Sequence, residues 1–312
     1  MKIQRRAIPE FICMAAVKYV PGGQFIAAVG GEFDKPGNLR ILHRKDGSAY
    51  KIIKTDAPGK ALAVSSDGNL IAIGYQGDHV DVVDFRNECK RISHTIIPKP
   101  YVRSEYGHIT EQTITHSMSF SPNVEFLAVG CWDCSAKLIR LSDGNMTVLQ
   151  DKDKANVDYV SFSQDSRYLI FASSSLINIY DLRTQKLNTI TMGKESCWSH
   201  VYISATHAIV SYNLMRDEIS HYELTQNRQT IIHAATKKAL DLTYSSFLKL
   251  VVMGDSKGML TLFDPISLAV VAVKKAEKYQ IFRVECAPDQ PCVMIQRSSG
   301  LDPFQELTLT NI

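Results

Sequence analysis

Residues 30–38 form a glycine-rich segment in which backbone and side-chain oxygens could surround a cation. Its candidate site residues are Gly30, Gly31, Glu32, Asp34, Gly37 and Asn38. Glycine backbone lets a loop approach a partner closely or ring a monovalent cation with carbonyl oxygens, and the two carboxylates add negative charge. The alternative is a long hairpin turn in which the glycines supply positive φ. No helix pattern follows, so the segment does not predict a phosphate-binding loop.

Cys131 and Cys134 have the spacing of a zinc or redox pair. A tetrahedral zinc site needs four ligands, and no second cysteine or histidine pair stands at the required spacing. No helix pattern is present to lower the pKa of a thiol. We therefore predict a β-turn with partly buried thiols. The odd total of seven cysteines favours reduced thiols over a disulfide framework.

No arrangement typical of covalent catalysis appears in the chain. Four of the nine histidines fall in one stretch but in different predicted strands, which favours structural roles: His200, His207, His221 and His233. There is no Gly-x-Ser-x-Gly elbow and no paired zinc motif. The sequence assigns no catalytic residue and no certain cofactor, and it leaves enzymatic activity uncertain.

An internal repeat must position these segments. Equivalent residues recur 41 or 42 positions apart, at Phe120, Phe162, Ile203, Tyr244 and Cys286. Each unit has an alternating strand, a turn rich in Pro, Asp, Gly and Ser, a second apolar strand, a third strand and a more polar fourth. Seven such units predict an all-β chain, a single seven-bladed β-propeller domain over residues 1–312.

The last unit provides only about three strands, so residues 1–10 are expected to supply its outer strand and close the ring. The longest excursion, residues 86–111, is predicted to be an extended loop between the second and third units. The apolar N-terminal stretch is interpreted as a strand and not as a signal peptide.

The repeat resembles the WD-repeat family. Trp132-Asp133 is the single Trp-Asp pair, but an apolar or aromatic residue followed by Asp ends the third strand of three units, at Asp84, Asp181 and Asp264. Such propellers are expected to bind other proteins on their faces.

The glycine-rich insertion in the first unit looks like the endoplasmic-reticulum guanine nucleotide exchange factor for the Sar GTPase of the COPII coat. The loop here is shorter than in that family and lacks the isoleucine before Asn38. The resemblance implies exchange activity, a Sar-type GTPase as partner, and a potassium ion held by the backbone of Gly30, Gly31 and Glu32 with Asn38. It also implies a cytosolic location at the endoplasmic reticulum, with membrane attachment only through a segment absent from this chain. The alternative is a non-catalytic WD-repeat interaction scaffold.

The overall charge argues against nucleic-acid binding. Lys and Arg total 35 and Asp and Glu total 32, a net charge of +3 without a basic stripe. One local cluster stands out: Lys237, Lys238, Lys274, Lys275 and Lys278. It is interpreted either as solvated loop charge or as a docking patch for an acidic protein or an anionic membrane.

Overall fold

The computed structural model describes residues 1–7, 14–32, 35–77, 79–97, 114–150, 155–173, 176–191, 197–226, 228–233, 238–297 and 304–312. Regular structure in these residues consists of β-strands. No helix among them has the length and apolar character needed to cross a bilayer.

The strands form seven four-stranded antiparallel sheets. The first four sheets follow in chain order: the first has β2 (Met14–Tyr19), β3 (Phe25–Gly30), β4 (Gly37–His43) and β5 (Ala49–Thr55), the second β6 (Gly59–Val64), β7 (Leu70–Tyr75), β8 (His79–Asp84) and β9 (Lys90–Ile96), the third β10 (Thr115–Phe120), β11 (Phe126–Cys131), β12 (Ser135–Arg140) and β13 (Met146–Gln150), and the fourth β14 (Tyr159–Phe162), β15 (Tyr168–Ala172), β16 (Leu176–Asp181) and β17 (Lys186–Thr191). The fifth sheet has β18 (Cys197–Ile203), β19 (Ala208–Asn213), β20 (Glu218–Glu223) and β21 (Arg228–His233), and the sixth has β22 (Ala239–Ser245), β23 (Leu250–Asp255), β24 (Met259–Phe263) and β25 (Val270–Lys275). The seventh sheet combines β1 (Lys2–Ala7) with β26 (Ile281–Cys286), β27 (Cys292–Arg297) and β28 (Phe304–Thr310). This is a seven-bladed β-propeller, as the repeat predicts.

The chain divides into two compact units. The N-terminal unit, Cys13–Arg44 with Ala49–Thr191, contains the first four sheets. The C-terminal unit, Met1–Ile12, Lys45–Ser48 and Met192–Ile312, contains the last three. In each unit, apolar side chains of neighbouring sheets form shared cores. That residues 1–312 are one domain stays a prediction.

The repeated Asp at the end of the third strand caps the turn that follows. Asp84 Oδ1 accepts hydrogen bonds from the backbone N–H groups of Arg86 and Asn87, at 3.0 and 3.2 Å. Asp181 and Asp264 make the same pair of bonds two and three residues further on. The N–H donors lower the pKa of Asp264, since they stabilise the carboxylate. The Asp in the repeat is therefore a turn-forming residue.

Glycines at the ends of the second strands allow neighbouring sheets to pack closely. A Cβ on Gly74 would lie 2.7 Å from Thr115 Cβ, and one on Gly254 would lie 2.6 Å from Ile281 Cγ2. Each of these glycines faces the first strand of the next sheet, so a larger residue there would push the two sheets apart.

The N-terminal strand supplies the outer strand of the seventh sheet. β1 pairs antiparallel with β28 over its whole length, from Lys2 opposite Thr310 to Ala7 opposite Gln305. The Arg5 guanidinium donates two hydrogen bonds to the Ala276 carbonyl, at 2.9 and 2.8 Å. The pairing predicted for this strand is thus present, while its closure of the whole ring stays a prediction.

The predicted loop over residues 86–111 contains a strand, so that prediction is corrected. β9 pairs with β8 and forms the outer edge of the second sheet. Its polar composition is the reason for the error, because an edge strand exposes both faces and lacks an apolar pattern. Residues 98–111 lie outside the described part of the chain.

Burial of His200 predicts loss of stability in acid. Its ring lies in the interior, bonded through Nδ1 to Ser211 Oγ at 2.8 Å, and burial lowers its pKa from 6.5 to about 4. As pH falls, His200 therefore binds its proton at a higher pH in the unfolded chain than in the folded protein. Stability from this group is full above pH 6.5 and is lost as pH falls toward about 4, by about 3 kcal/mol at most. Urea unfolding at pH 7.5 and pH 5 should show a smaller loss in His200→Gln than in the parent protein. Equal losses would contradict this assignment.

Candidate functional site

The strands incorporate part of the glycine-rich segment. Gly30 pairs with Asn38 between β3 and β4, and Gly37 pairs with Thr55 on β5. The loop between the strands is therefore residues 31–36. Asp34 lies outside the described residues. Among the predicted site residues, Glu32 is exposed, Gly31 and Asn38 are half-buried, and Gly37 is buried.

Two glycines at the base of the loop, Gly31 and Gly37 at the start of β4, are required by packing. A Cβ on Gly31 would lie 2.8 Å from Gly37 Cα. Gly31 also has a φ of 154°, which residues other than glycine rarely adopt. A Cβ on Gly37 would lie 2.8 Å from the Ala57 carbonyl oxygen. An Ala-Ala replacement of Gly30 and Gly31, which the sequence suggests would leave folding intact, is therefore expected to disturb the base of the loop.

Glu32, the acidic residue that the structure describes in this loop, has a partner in the chain. The Lys35 ammonium donates to Glu32 Oε2 at 2.5 Å, and the Lys35 N–H donates to the Glu32 carbonyl at 3.3 Å. The hydrogen bond from Lys35 lowers the pKa of Glu32. The carboxylate and the backbone carbonyl of Glu32, the two groups whose oxygens could bind a cation, thus both contact Lys35. Potassium binding at the backbone of Gly30, Gly31 and Glu32 with Asn38 stays a prediction.

Backbone contacts join this loop to the turns of the next three sheets. Gly31 packs on Pro58, whose carbonyl accepts a hydrogen bond from Gln76 N at 3.1 Å. Gln76 pairs with Ile114, and the Ile114 carbonyl accepts from Trp132 N at 3.1 Å. The Val157 N–H completes the series by donating to the Cys131 carbonyl at 3.0 Å. We call this series of connected residues in the N-terminal unit, 31–32, 35–36, 56–58, 76–77, 114–116, 132–134 and 157–158, the loop rim.

An aromatic and acidic cluster stands at one end of the loop rim. The Trp132 indole is 45% exposed and stacks on His116, with ring centroids 5.7 Å apart. The Trp132 side chain also hydrogen-bonds the Asp158 carboxylate, and His116 Nδ1 lies 3.8 Å from Asp158 Oδ1. Burial raises the pKa of Asp158. No single segment of the sequence indicates this cluster, because its members come from two sheets; the single Trp-Asp pair in a turn is the available local signal.

The two cysteines beside Trp132 have structural positions. Cys131 is buried at the end of β11, and burial raises the pKa of its thiol to about 12. Cys134 lies in the following turn with a φ of 65°. The predicted turn with partly buried thiols is confirmed. The described residues contain no group of three or more His, Cys, Asp or Glu side chains that could hold a metal.

Beneath this turn lies a buried ion pair. The Lys137 ammonium bonds to Asp133 Oδ2, and it donates to Ser135 Oγ at 2.6 Å. Asp133 Oδ1 accepts from the Ser135 hydroxyl at 2.6 Å and from its N–H at 3.2 Å. Lys137 is 1% exposed and Asp133 is 9% exposed. This network fixes the turn that carries Trp132.

Comparison with known proteins supports the fold and the repeat class. Residues 100–140 match the family model described as WD domain, G-beta repeat. The β-propeller domain of Cps50 (Swd1) from Myceliophteria thermophila is similar in structure, with a TM-score of 0.77. The similarity covers 98% of this chain and 100% of that one at 11% sequence identity, so it shows the fold alone. No curated protein matches the chain. A WD-repeat propeller is consistent with a protein-interaction scaffold.

Proposed function

We propose that this chain binds a protein partner on the loop rim of its N-terminal unit. The observation that carries the proposal is the exposed Trp132, held by His116 and Asp158 above a turn that a buried ion pair fixes. Large aromatic side chains that are rigid before binding supply much of the affinity at protein interfaces, because little conformational freedom is lost. The exposed Glu32 and Lys35 add a second contact at the other end of the rim.

We further propose that the partner is a small GTPase of the Sar type and that this chain promotes its nucleotide exchange in COPII budding at the cytosolic face of the endoplasmic reticulum. The insertion between β3 and β4 favours this narrower proposal. It presents Glu32, Lys35 and Pro36 on a base of tightly packed glycines. Exposed residues such as these can contact a partner in one nucleotide state and not in another.

Exchange of this kind needs no covalent chemistry. A factor that binds the nucleotide-free GTPase more tightly than the loaded form must weaken nucleotide affinity by the same factor, since linkage is reciprocal. The loop rim would supply those differential contacts through Trp132, Glu32 and Lys35. No step depends on a bound potassium ion.

The test measures release of fluorescent GDP from a Sar-type GTPase and binding of that GTPase with and without GDP. The parent protein should accelerate release and should bind the nucleotide-free GTPase best. Trp132→Ala should weaken binding by tenfold or more, the usual effect of removing a central aromatic contact. Asn38→Ala should reduce exchange more than it reduces thermal stability.

Met215→Ala is the matched control, because Met215 is exposed on the C-terminal unit and its loss should leave GTPase binding unchanged. Equal binding with and without GDP, together with unaltered GDP release, would exclude exchange and leave a scaffold. If Trp132→Ala binds every partner as well as the parent protein does, the loop rim is not the docking surface.

A further inference from the structure

The C-terminal unit carries a basic surface that the proposed function does not use. Five exposed lysines lie on three loops and strand ends of the fifth and sixth sheets: Lys238, Lys257, Lys274, Lys275 and Lys278. We call these lysines the basic strip. The sequence cluster contains four of them, and the structure adds Lys257. Lys237 lies outside the described residues.

Direct contacts hold the loops of the basic strip together. The Lys238 carbonyl accepts a hydrogen bond from Ser256 N at 3.0 Å. The Gly258 carbonyl accepts from the N–H groups of Ala276 and Glu277, both at 3.0 Å. The Lys275 ammonium bonds to the Lys257 carbonyl. The lysines therefore belong to one ordered surface and not to separate loops that happen to be basic.

Two acidic residues of the same loops, Glu277 and Asp255, are buried and already bonded to other groups of the protein. Glu277 is 8% exposed and lies between Arg5 and Arg297, at 3.7 and 3.3 Å. Asp255 is buried and accepts the N–H groups of Lys257 and Met259, both at 2.8 Å. No strip lysine has an ion-pair partner in the part of the chain that the structure describes. The positive charge is therefore left open to solvent.

Apolar side chains accompany this charge. Tyr279 and Phe282 follow the last lysine and are 38% and 44% exposed, and the Lys278 ammonium lies 5.9 Å from the Tyr279 ring centroid. Lysine is a hydrated point charge on a flexible stem, whereas arginine forms the planar fork that suits paired carboxylates. A strip made of lysines with exposed aromatic rings fits a diffuse anionic surface with an apolar layer beneath it.

We propose that the basic strip docks on a membrane surface rich in anionic lipids. The lysines would sit at the headgroup level, where the negative surface potential attracts each of them. Tyr279 and Phe282 would enter the boundary between headgroups and acyl chains. This site lies in the other unit from the loop rim and does not rest on GTPase binding.

The test is co-sedimentation of the protein with vesicles of phosphatidylcholine, with and without phosphatidylserine. Binding should require phosphatidylserine and should fall steeply between about 0.1 M and about 1 M salt, as the Debye length shortens from about 10 Å to about 3 Å. The double variant Lys274→Glu/Lys278→Glu should lower the partition coefficient by at least about thirtyfold. Phe282→Ala should weaken the binding that persists at high salt.

The control variant Lys90→Glu/Lys186→Glu changes the same charge on exposed lysines of the N-terminal unit and should bind vesicles like the parent protein. A polyglutamate peptide provides the competing partner. Absence of phosphatidylserine-dependent binding, or equal loss in the control variant, would overturn the proposal. So would tight polyglutamate binding at the basic strip without vesicle binding, which would assign the strip to an acidic protein segment.

Discussion

We expect the substitution Lys137→Met to lower the free energy of unfolding by about 3–5 kcal/mol, because it leaves the Asp133 carboxylate buried without its cation. Methionine fills a similar volume, so little of the effect should come from a cavity. The measurement is urea unfolding at neutral pH. Trp132 fluorescence should change as well, since the turn that carries it loses its support.

A substitution of the partner residue, Asp133, shows how much of the destabilisation comes from the unpaired charge and how much from altered packing. Asp133→Asn keeps an oxygen for Ser135 and removes the buried charge, so the double variant Lys137→Met/Asp133→Asn should be less destabilised than the sum of the single variants. Lys35→Met removes the cation of the exposed Glu32 pair and should leave stability unchanged. A Lys137→Met protein as stable as the Lys35→Met protein would show that the buried pair contributes nothing.

Removal of residues 1–7 is expected to produce a second large effect. The truncated chain loses the strand that covers β28, exposing its backbone edge and the apolar Leu307 and Leu309, which are buried in the intact protein. Loss of the contacts of Met1 and Ile3 with that core should cost about 3 kcal/mol or more. An exposed, apolar edge also favours association between chains. Thermal unfolding and light scattering measure the two consequences.

A synthetic peptide of residues 1–7 provides the rescue experiment. Added in excess, it should pair with β28 and restore part of the lost stability, as strand addition does at other sheet edges. The substitution Lys2→Ala keeps the strand and removes only an exposed side chain, so it should behave like the parent protein. A truncated chain that stays monomeric and equally stable would show that β26, β27 and β28 suffice without β1.

The repeat could be predicted from sequence because its signals are local. Alternation of apolar residues fixes which face of a strand is buried, and Asp84, Asp181 and Asp264 act through hydrogen bonds to residues two and three positions away. The edge strand β9 was missed for a physical reason: neither of its faces is fully covered, so the alternation that identifies strands is weak there.

The proposed binding surfaces depend on contacts between residues that are distant in sequence, so no single segment indicates them. Gly31 is constrained by Pro58, and Trp132 contacts His116 and Asp158 from different strands. Lysine is seldom buried, so nothing in the local sequence indicated that Lys137 lies inside the protein. The candidate loop could be predicted because glycine composition is visible in a sequence. Its packing against β5 could not be predicted.

The pairing of β1 with β28 also bears on how the chain folds during synthesis. β1 is synthesised about 300 residues before its partner, Phe304–Thr310. At about 5–20 residues per second, β1 waits roughly 15–60 s for that strand. Sheets one to four have all their strands in one continuous stretch of chain and can form in order meanwhile. Pairing of β1 with β28 then completes the seventh sheet, and until it occurs residues 1–7 are available to other chains emerging nearby.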